Sequence, residues 1–320
     1  MNEFDLIERF FVRPNKRNDV TVGIGDDSAV CLVPDDHELS ITTDLLVAGT
    51  HFSADTPAKA VGHKALAVNL SDLAAMGATP AWFTLNLSLP EINENWLQAF
   101  SQGLFALADG HNISLIGGDT VKGPLSIGIQ AFGLMPTGTA VLRSGAQAGD
   151  QIYVTGSLGD AALALRILQG SVDLPQEASD NLIPRLHYPV PRSAQGVALR
   201  DIVTAMIDIS DGLVADLGHI LERSDVGATI HQEALPLSAH YRDNIDEVGF
   251  TPALTGGDDY ELCFTVSANR VDELHAKSEK WDCVISCIGE IEPGSGLRIK
   301  SKDGELVDVG KSGYDHFAIR

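Results

Sequence analysis

Residues 22–30 read VGIGDDSAV, and residues 41–44 read ITTD. In both stretches apolar residues lead directly into aspartate, and the glycines of the first let the backbone turn tightly. Residues 116–120 (IGGDT) and 207–212 (IDISDG) repeat this arrangement. A carboxylate at the end of a buried strand is unfavourable unless a cation meets it, and these four stretches contain no Lys or Arg. The pattern therefore predicts a hard metal ion such as Mg²⁺, which prefers oxygen ligands.

The composition narrows the classes of partner and compartment. The chain has 320 residues, of which 44% are hydrophobic, and this is enough apolar material for two α/β domains. Its 22 Lys and Arg against 44 Asp and Glu give a net charge of −22, which disfavours nucleic acids and anionic membranes as partners. We expect no secretory signal and no membrane span. The four cysteines form no CxxC pair, which favours a reducing cytoplasm.

The Gly- and Pro-containing turn over residues 136–138, followed by a second turn at Gly149 and Asp150, predicts a boundary region, hence domains over 1–138 and 139–320. In the first domain the order β-β-α-β-α-β-β indicates a mixed sheet with helices packed on it. The predicted helices there cover residues 4–11, 58–76 and 95–109, and the predicted strands cover 20–33, 39–47, 82–89, 113–116 and 126–135, with a loop over 117–124. The second domain is predicted as α/β, with strands over 151–155 and 206–209, helices over 161–169 and 213–223, and a loop over 171–179.

The helix predicted over residues 58–76 carries an acid among its apolar positions. Helical spacing places Asp72 on the same face as Val61, Ala65 and Val68. A lone acid on a packed face is usually structural. Because other acidic segments also require a cation, we expect Asp72 to share a metal site with them.

Two glycine-containing segments have weaker meaning. Residues 155–159 (TGSLG) join a strand to a helix and could hold a phosphate, but an ordinary tight turn is the favoured interpretation. Residues 304–312 (GELVDVGKS) resemble a Walker A loop only superficially, because Glu305 stands where the motif requires glycine. Arg143 is either a bidentate phosphate contact or an unremarkable surface arginine.

The residues themselves favour phosphoryl transfer. Many carboxylates, little positive charge and no evident nucleophile suit a reaction that depends on positioning and charge neutralisation. A phosphate acceptor would already be largely ionised near neutral pH, so no general base is required. The aspartates on which this interpretation depends are Asp27, Asp44, Asp72, Asp119 and Asp208.

Taken together, the motifs resemble the thiamine-monophosphate kinases of the aminoimidazole ribonucleotide synthetase-like superfamily. The resemblance runs nearly end to end and is carried by GIGDDSAV, ITTDLLVAGTHF, KALAVNLSDLAAMGATP, LIGGDT, LRSGAQAGD, IDISDGLVADLGHI, GGDDYELCF and GYDHF. It implies a two-domain α/β fold and a homodimer formed by the N-terminal domains. It also implies direct, Mg²⁺-assisted transfer of the ATP γ-phosphate to thiamine monophosphate, giving thiamine diphosphate, with no covalent catalytic residue.

The resemblance also implies roles for individual residues. Gly118, Asp119, Arg143 and Ser210 would contact ATP, and the thiamine end would contact His51, Asp258 and Tyr314. The family usually has Glu where this chain has Asp258, and the shorter side chain implies a water-mediated contact. The Mg²⁺ ligands would be Asp27, Thr42, Thr43, Asp44, Asp72, Asp119, Asp208 and Asp211.

Other functions stay open from the sequence. One is a different ATP-dependent enzyme of the same superfamily, which a different acceptor would reveal. Another is a non-catalytic divalent-metal or nucleotide-binding module, which would bind ligand without forming ADP. A third is an acidic scaffold, whose stability would not respond to metal ions.

Overall fold

The computed structural model describes residues 2–14 and 16–308. The chain forms two compact units: Met1–Leu73 with Gly77–Ala140, and Ala74–Met76 with Val141–Arg320. Each unit contains a mixed sheet with helices packed on it, which confirms the predicted α/β class. Over the described residues, no helix combines the length and the apolar character that crossing a bilayer requires.

The strands and helices of the first unit follow the predicted order, except that the single strand predicted over residues 20–33 is two short strands joined by a turn. A capping box in which Asn2 and Asp5 bond each other's backbone N–H groups begins the first helix. The helices are α1 (Glu3–Phe10), α2 (Ala58–Ala75) and α3 (Glu94–Gly110). The strands are β1 (Val20–Val22), β2 (Val30–Cys31), β3 (His37–Val47), β4 (Thr79–Leu89), β5 (Ser114–Lys122) and β6 (Ser126–Pro136).

The larger sheet of this unit has the strand order β3-β6-β4-β5. Only the β4–β5 pair in it is parallel within the described chain. The loop predicted over residues 117–124 is therefore wrong, because pairing with β4 carries β5 through the glycines as far as Lys122. Helix α2 also differs from its prediction, since it is buried nearly all round rather than on one face.

The two long helices of the first unit touch backbone to backbone. A Cβ at Gly62 would lie 2.1 Å from Phe100 O, and one at Gly103 would lie 1.9 Å from Lys59 O. Any larger residue would force α2 and α3 apart. This close contact, together with Leu97, Phe100 and Leu104 on the buried face of α3, fixes α2 and hence the side chain of Asp72.

The second unit is built on a sheet with the order β12-β9-β11-β7-β10-β8. Its strands are β7 (Gln151–Thr155), β8 (Ala205–Asp208), β9 (Gly227–His231), β10 (Leu262–Val266), β11 (Ile285–Glu292) and β12 (Gly296–Lys300). Its helices are α4 (Asp160–Leu168), α5 (Gln176–His187), α6 (Ser193–Leu199), α7 (Leu213–Ser224), α8 (Ala239–Arg242), α9 (Ile245–Val248), α10 (Thr251–Thr255) and α11 (Val271–Ser278).

Strand alternation gives this second sheet a core on both faces. Ile152 and Val154 pack on one face with residues of α4, α5 and α7. Tyr153 and Phe264 pack on the other face with residues of α6 and α11. A strand buried on both faces reads as a continuous apolar run, which is why the sequence predicts β7 with its observed bounds.

Candidate functional site

In the first unit, the clearest candidate site lies where β3 meets α2. The Thr42 hydroxyl donates a hydrogen bond to Asp72 Oδ2. Asp44 lies two residues further along β3, so its side chain is on the same face of the sheet as that of Thr42. Burial, with the charge of Asp72 as a second cause, raises the pKa of Asp44 to about 7. Asp44 Oδ2 is buried and has no hydrogen-bond donor among the described residues.

The unsatisfied Asp44 oxygen fits a divalent cation. Such an atom is unfavourable in the folded chain alone, and a hard cation would satisfy it. Within residues 2–14 and 16–308, no three His, Cys, Asp or Glu side chains are grouped as a preformed metal cage. Mg²⁺ commonly binds one or two protein carboxylates and takes its other ligands from water and substrate phosphates. Asp44 and Asp72 therefore suit Mg²⁺ that arrives with a phosphate ligand.

The side chains of Thr43 and Asp119 lie on the opposite face of the sheet from that of Asp44. The Thr43 hydroxyl donates to Ile129 O at 3.1 Å, on the opposite face of β3. Asp119 lies opposite Asn86 on β4, and the register continues through Gly128 to Leu45. The side chain of Asp119 is thus on the same face of the sheet as those of Thr43 and Leu45, whereas Asp44 is on the same face as Thr42.

The backbone next to Asp119 requires glycine. Gly118 has φ of 146°, and a Cβ there would lie 1.8 Å from Leu85 O on the paired strand. The structure thus explains Gly118 by a close backbone approach. Its predicted contact with ATP stays a prediction.

Two further predicted residues of this unit lie at the ends of strands. Asp27 is exposed in the turn between β1 and β2, and its N–H donates to Asp26 Oδ1 at 3.0 Å. His51 follows β3, and its Nδ1 accepts the Val47 N–H at 3.0 Å. In the neutral ring the proton is therefore on Nε2.

The candidate residues of the second unit gather at one edge of its sheet. There β7 and β8 end and β10 begins, with Asp208 paired to Leu262. The loops continue the pairing beyond the strands: Tyr260 N–H donates to Ile209 O at 2.8 Å, and Asp258 N–H donates to Ser210 O at 2.9 Å. The predicted residues Asp208, Ser210 and Asp258 are thus brought together by backbone hydrogen bonds.

The loop before β10 holds two non-glycine residues in the left-handed region. Asp258 has φ of 71° and Tyr260 has φ of 51°. Such conformations are uncommon and occur often at functional sites. The Tyr260 hydroxyl donates to Asp258 Oδ1 at 2.9 Å. Tyr260 is therefore a site residue that sequence reasoning missed; its position two residues after Asp258 was the available signal.

The alternate residues of this loop, Asp259 and Glu261, anchor it to the unit. Both oxygens of the partly buried Asp259 accept the Gly159 N–H at the start of α4, at 2.8 and 3.0 Å. Glu261 accepts two hydrogen bonds from Arg192, at 2.5 and 2.6 Å, and one from the Thr155 hydroxyl at 2.6 Å. Because Asp259 already occupies the start of α4, the turn over residues 155–159 supports the tight-turn interpretation.

Arg143 lies on a pinned loop. The Ser224 hydroxyl accepts the N–H groups of Gly145 and Ala146 at 3.1 and 3.2 Å and donates to Arg143 O at 3.3 Å. The guanidinium of Arg143 is exposed and has no hydrogen bond or ion pair with the described residues. A fixed, unpaired arginine is suited to an anionic ligand. Tyr314 lies outside the described residues.

Comparison with known proteins identifies the family. The model of the AIR synthase related protein N-terminal domain matches residues 25–135, and that of the C-terminal domain matches residues 147–302. The thiamine-monophosphate kinase of Salmonella typhimurium is 47% identical over 320 residues, covering 99% of this chain and 98% of the relative. The enzyme of that name from Aquifex aeolicus is 34% identical over 326 residues, with coverage of 99% and 98%. The chain belongs to the thiamine-monophosphate kinase family.

Solved structures of the family agree with this fold. The crystal structure of thiamine-monophosphate kinase from Stenotrophomonas maltophilia has a TM-score of 0.88 and 47% identity, covering 96% of this chain and 98% of that one. A structure described as "AaThiL complexed with AMPPCP and TMP" has a TM-score of 0.77 and 31% identity, covering 98% and 96%.

Proposed function

We propose that this protein transfers the γ-phosphoryl group of ATP to thiamine monophosphate and forms thiamine diphosphate. The observation that carries the proposal is the match over 98% of the chain to a family structure complexed with AMPPCP and TMP. AMPPCP has the shape of ATP but a methylene between its last two phosphorus atoms, so that structure corresponds to a donor and an acceptor before transfer. The Asp44 oxygen and the Arg143 guanidinium, neither of which has a hydrogen-bond partner in the described part of the chain, support the same chemistry.

The reaction brings two anions together, and the chain's residues are suited to that difficulty. Bound Mg²⁺ would neutralise phosphate charge and stabilise the transferring group. Asp44 and Asp72 would hold it, and Thr42, whose hydroxyl donates to Asp72, is proposed as a further ligand. Asp27, Thr43, Asp119, Asp208 and Asp211 are proposed as further Mg²⁺ ligands. Because the acceptor phosphate is already ionised, the transfer is direct and in line, without a covalent intermediate or a general base.

The remaining proposed contacts divide between the two substrates. ATP would be contacted by Gly118, Asp119, Arg143 and Ser210. The thiamine end would be contacted by His51 and Asp258, and by Tyr314 of the terminal segment. The Tyr260 hydroxyl supports this role of Asp258, because its hydrogen bond to Oδ1 fixes the orientation of the carboxylate.

The test of the proposed function is product formation. Purified protein incubated with ATP, Mg²⁺ and thiamine monophosphate is expected to yield thiamine diphosphate and ADP in equal amounts. ADP formation that needs another acceptor would indicate a different enzyme of the superfamily. Nucleotide binding without ADP formation at any Mg²⁺ concentration would indicate a non-catalytic module.

We further propose that two copies associate through the larger sheet of the first unit. The face of this sheet that points away from Asp72 exposes the apolar side chains of Leu39, Ile41, Leu45 and Val121. Leu39, Ile41 and Leu45 alternate along β3, and an exposed apolar strip of this kind typically marks an interface. Asp119 lies on the same face of the sheet, so in the proposed dimer it would face the partner protomer.

The dimer is tested by placing a charge on this face of the sheet. Leu45→Asp is expected to convert the protein to a monomer in light scattering coupled to size exclusion. Leu168→Asp is the control, because Leu168 is similarly exposed on α4 of the second unit. A wild-type monomer, or a dimer unaffected by Leu45→Asp, would overturn the proposal.

The unpaired state of all four cysteines supports a cytoplasmic location.

A further inference from the structure

A single carboxylate oxygen holds the loop that carries Ser210 and Asp211. Asp216 Oδ2 accepts the backbone N–H groups of Ser210, Asp211 and Gly212 at 3.0, 3.0 and 3.1 Å. Asp216 belongs to the first turn of α7 and is only 3% exposed. Its side chain reaches back to the residues that precede the helix, where an acidic group is favoured by the helix dipole.

This anchoring decides which way the loop faces. With three successive N–H groups directed at Asp216, the backbone of residues 210–212 cannot rotate without breaking several charge-assisted hydrogen bonds. Ser210 O in turn accepts the Asp258 N–H, so the same loop holds the strained segment before β10. Asp211, whose side chain is exposed, is left on the solvent side of this loop.

We propose that Asp216 is a positioning residue for phosphoryl transfer: it holds Ser210 and Asp211 in the orientation in which they meet Mg²⁺ and ATP. This inference rests on the proposed function. Groups that orient metal ligands without touching the metal commonly change metal affinity or activity 10–100-fold when removed, which is about the effect expected here. Because the hydrogen bonds run to backbone N–H groups, no change of Ser210 or Asp211 can substitute for this test.

The chain offers a closely matched control in Asp150. Asp150 is 4% exposed, and its Oδ2 accepts the Gln147 N–H at 2.9 Å and the Thr204 hydroxyl at 2.7 Å. It precedes β7 and so lies at the opposite end of that strand from Thr155. Asp216→Asn and Asp150→Asn therefore remove equally buried, similarly bonded charges, and only the first is at the proposed site.

Both variants are expected to have lower melting temperatures than the wild type. Asp216→Asn is expected to raise the half-saturating Mg²⁺ concentration about 10–100-fold, while Asp150→Asn stays within about twofold of the wild type. The second measurement is the rise in melting temperature on adding Mg²⁺ with AMPPCP, which should shrink in Asp216→Asn alone. Asp216→Glu, which keeps the charge but displaces it, covers the case in which Asp216→Asn does not fold and is expected to show the same shifts.

The inference is overturned if the folded Asp216 variant keeps the wild-type Mg²⁺ dependence, or if Asp150→Asn shifts it equally. Failure of the proposed function has a different signature, because the wild type would then form no thiamine diphosphate. The change in melting temperature with Mg²⁺ and AMPPCP would still report on the positioning role in that case.

Discussion

Asp44 in the first unit and Asp216 in the second are buried carboxylates with opposite surroundings. Burial raises the pKa of each to about 7. Asp216 accepts three backbone N–H groups, whereas Asp44 has a buried oxygen without a donor among the described residues and the charge of Asp72 nearby. At Asp216 the three N–H groups oppose the effect of burial, and removing the carboxylate would weaken or lose the acceptor of those groups. A carboxylate without such donors needs an external cation, and this distinguishes a structural acid from a candidate metal ligand.

The first prediction concerns a buried carboxylate whose partners come from the chain, and its expected effect is the largest. Arg192 and Glu261 form a buried pair with two hydrogen bonds, and Arg192→Met would leave Glu261 with the longer contact to the Arg185 guanidinium, at 3.8 Å. We expect a loss of about 3–5 kcal/mol in the free energy of unfolding, measured in urea. Arg298→Met, which breaks the more exposed pair with Glu292, should lose much less, because solvent screens that pair. Comparable losses in the two variants would contradict the argument, and adding Glu261→Gln to Arg192→Met should recover part of the loss.

The unsatisfied side of the comparison gives the second prediction. Asp44→Asn removes a charge that the folded chain does not stabilise, so without Mg²⁺ the melting temperature should stay unchanged or rise. Turnover should fall about 100-fold, because a proposed metal ligand is lost. The same substitution at Asp216 is expected to lower the melting temperature. A marked loss of stability in Mg²⁺-free Asp44→Asn would show that Asp44 is a structural acid.

Local sequence signals predicted most of the regular elements. The apolar run of β7 and the start of α7 after Gly212 are decided by neighbouring residues, so a single sequence reveals them. The loop predicted over residues 117–124 failed because the strand there depends on pairing with β4. The loop predicted over residues 171–179 is replaced from Gln176 onward by α5, whose packing against α4 outweighs the polar composition of that segment.

The candidate site was predictable as residue types but not as a geometry. Acids that end apolar runs stand out in the sequence, and Asp44 is one of them. Their partners do not stand out: Arg192 is 69 residues from Glu261, and Asp259 is 100 residues from Gly159. Strand alternation could in principle have separated Asp44 from Thr43, but the register that places Asp119 with Thr43 requires knowledge of which strands pair.

Arg143 is a cation that, like Asp44, lacks a partner among the described residues. Arg143 is exposed and unpaired among the described residues, so Arg143→Ala should change the free energy of unfolding by about 0.5 kcal/mol or less. The KM for ATP should rise about tenfold, and Arg143→Lys should recover only part of this because it lacks the bidentate geometry. Arg223→Ala, at an exposed arginine on α7, is the control and should leave the KM unchanged. An equal effect of both substitutions would indicate a general charge effect.

The smallest expected effect concerns Asp258, where reach and backbone conformation favour different acids. At a φ of 71° aspartate is tolerated better than glutamate, so Asp258→Glu should lower the free energy of unfolding by about 1 kcal/mol. The longer side chain should replace a water-mediated contact and lower the KM for thiamine monophosphate a few-fold. Asp246→Glu, at an exposed acid on α9, should change neither quantity. A KM that rises in Asp258→Glu would mean that aspartate already contacts the substrate directly, because a longer side chain would then displace the carboxylate from its partner.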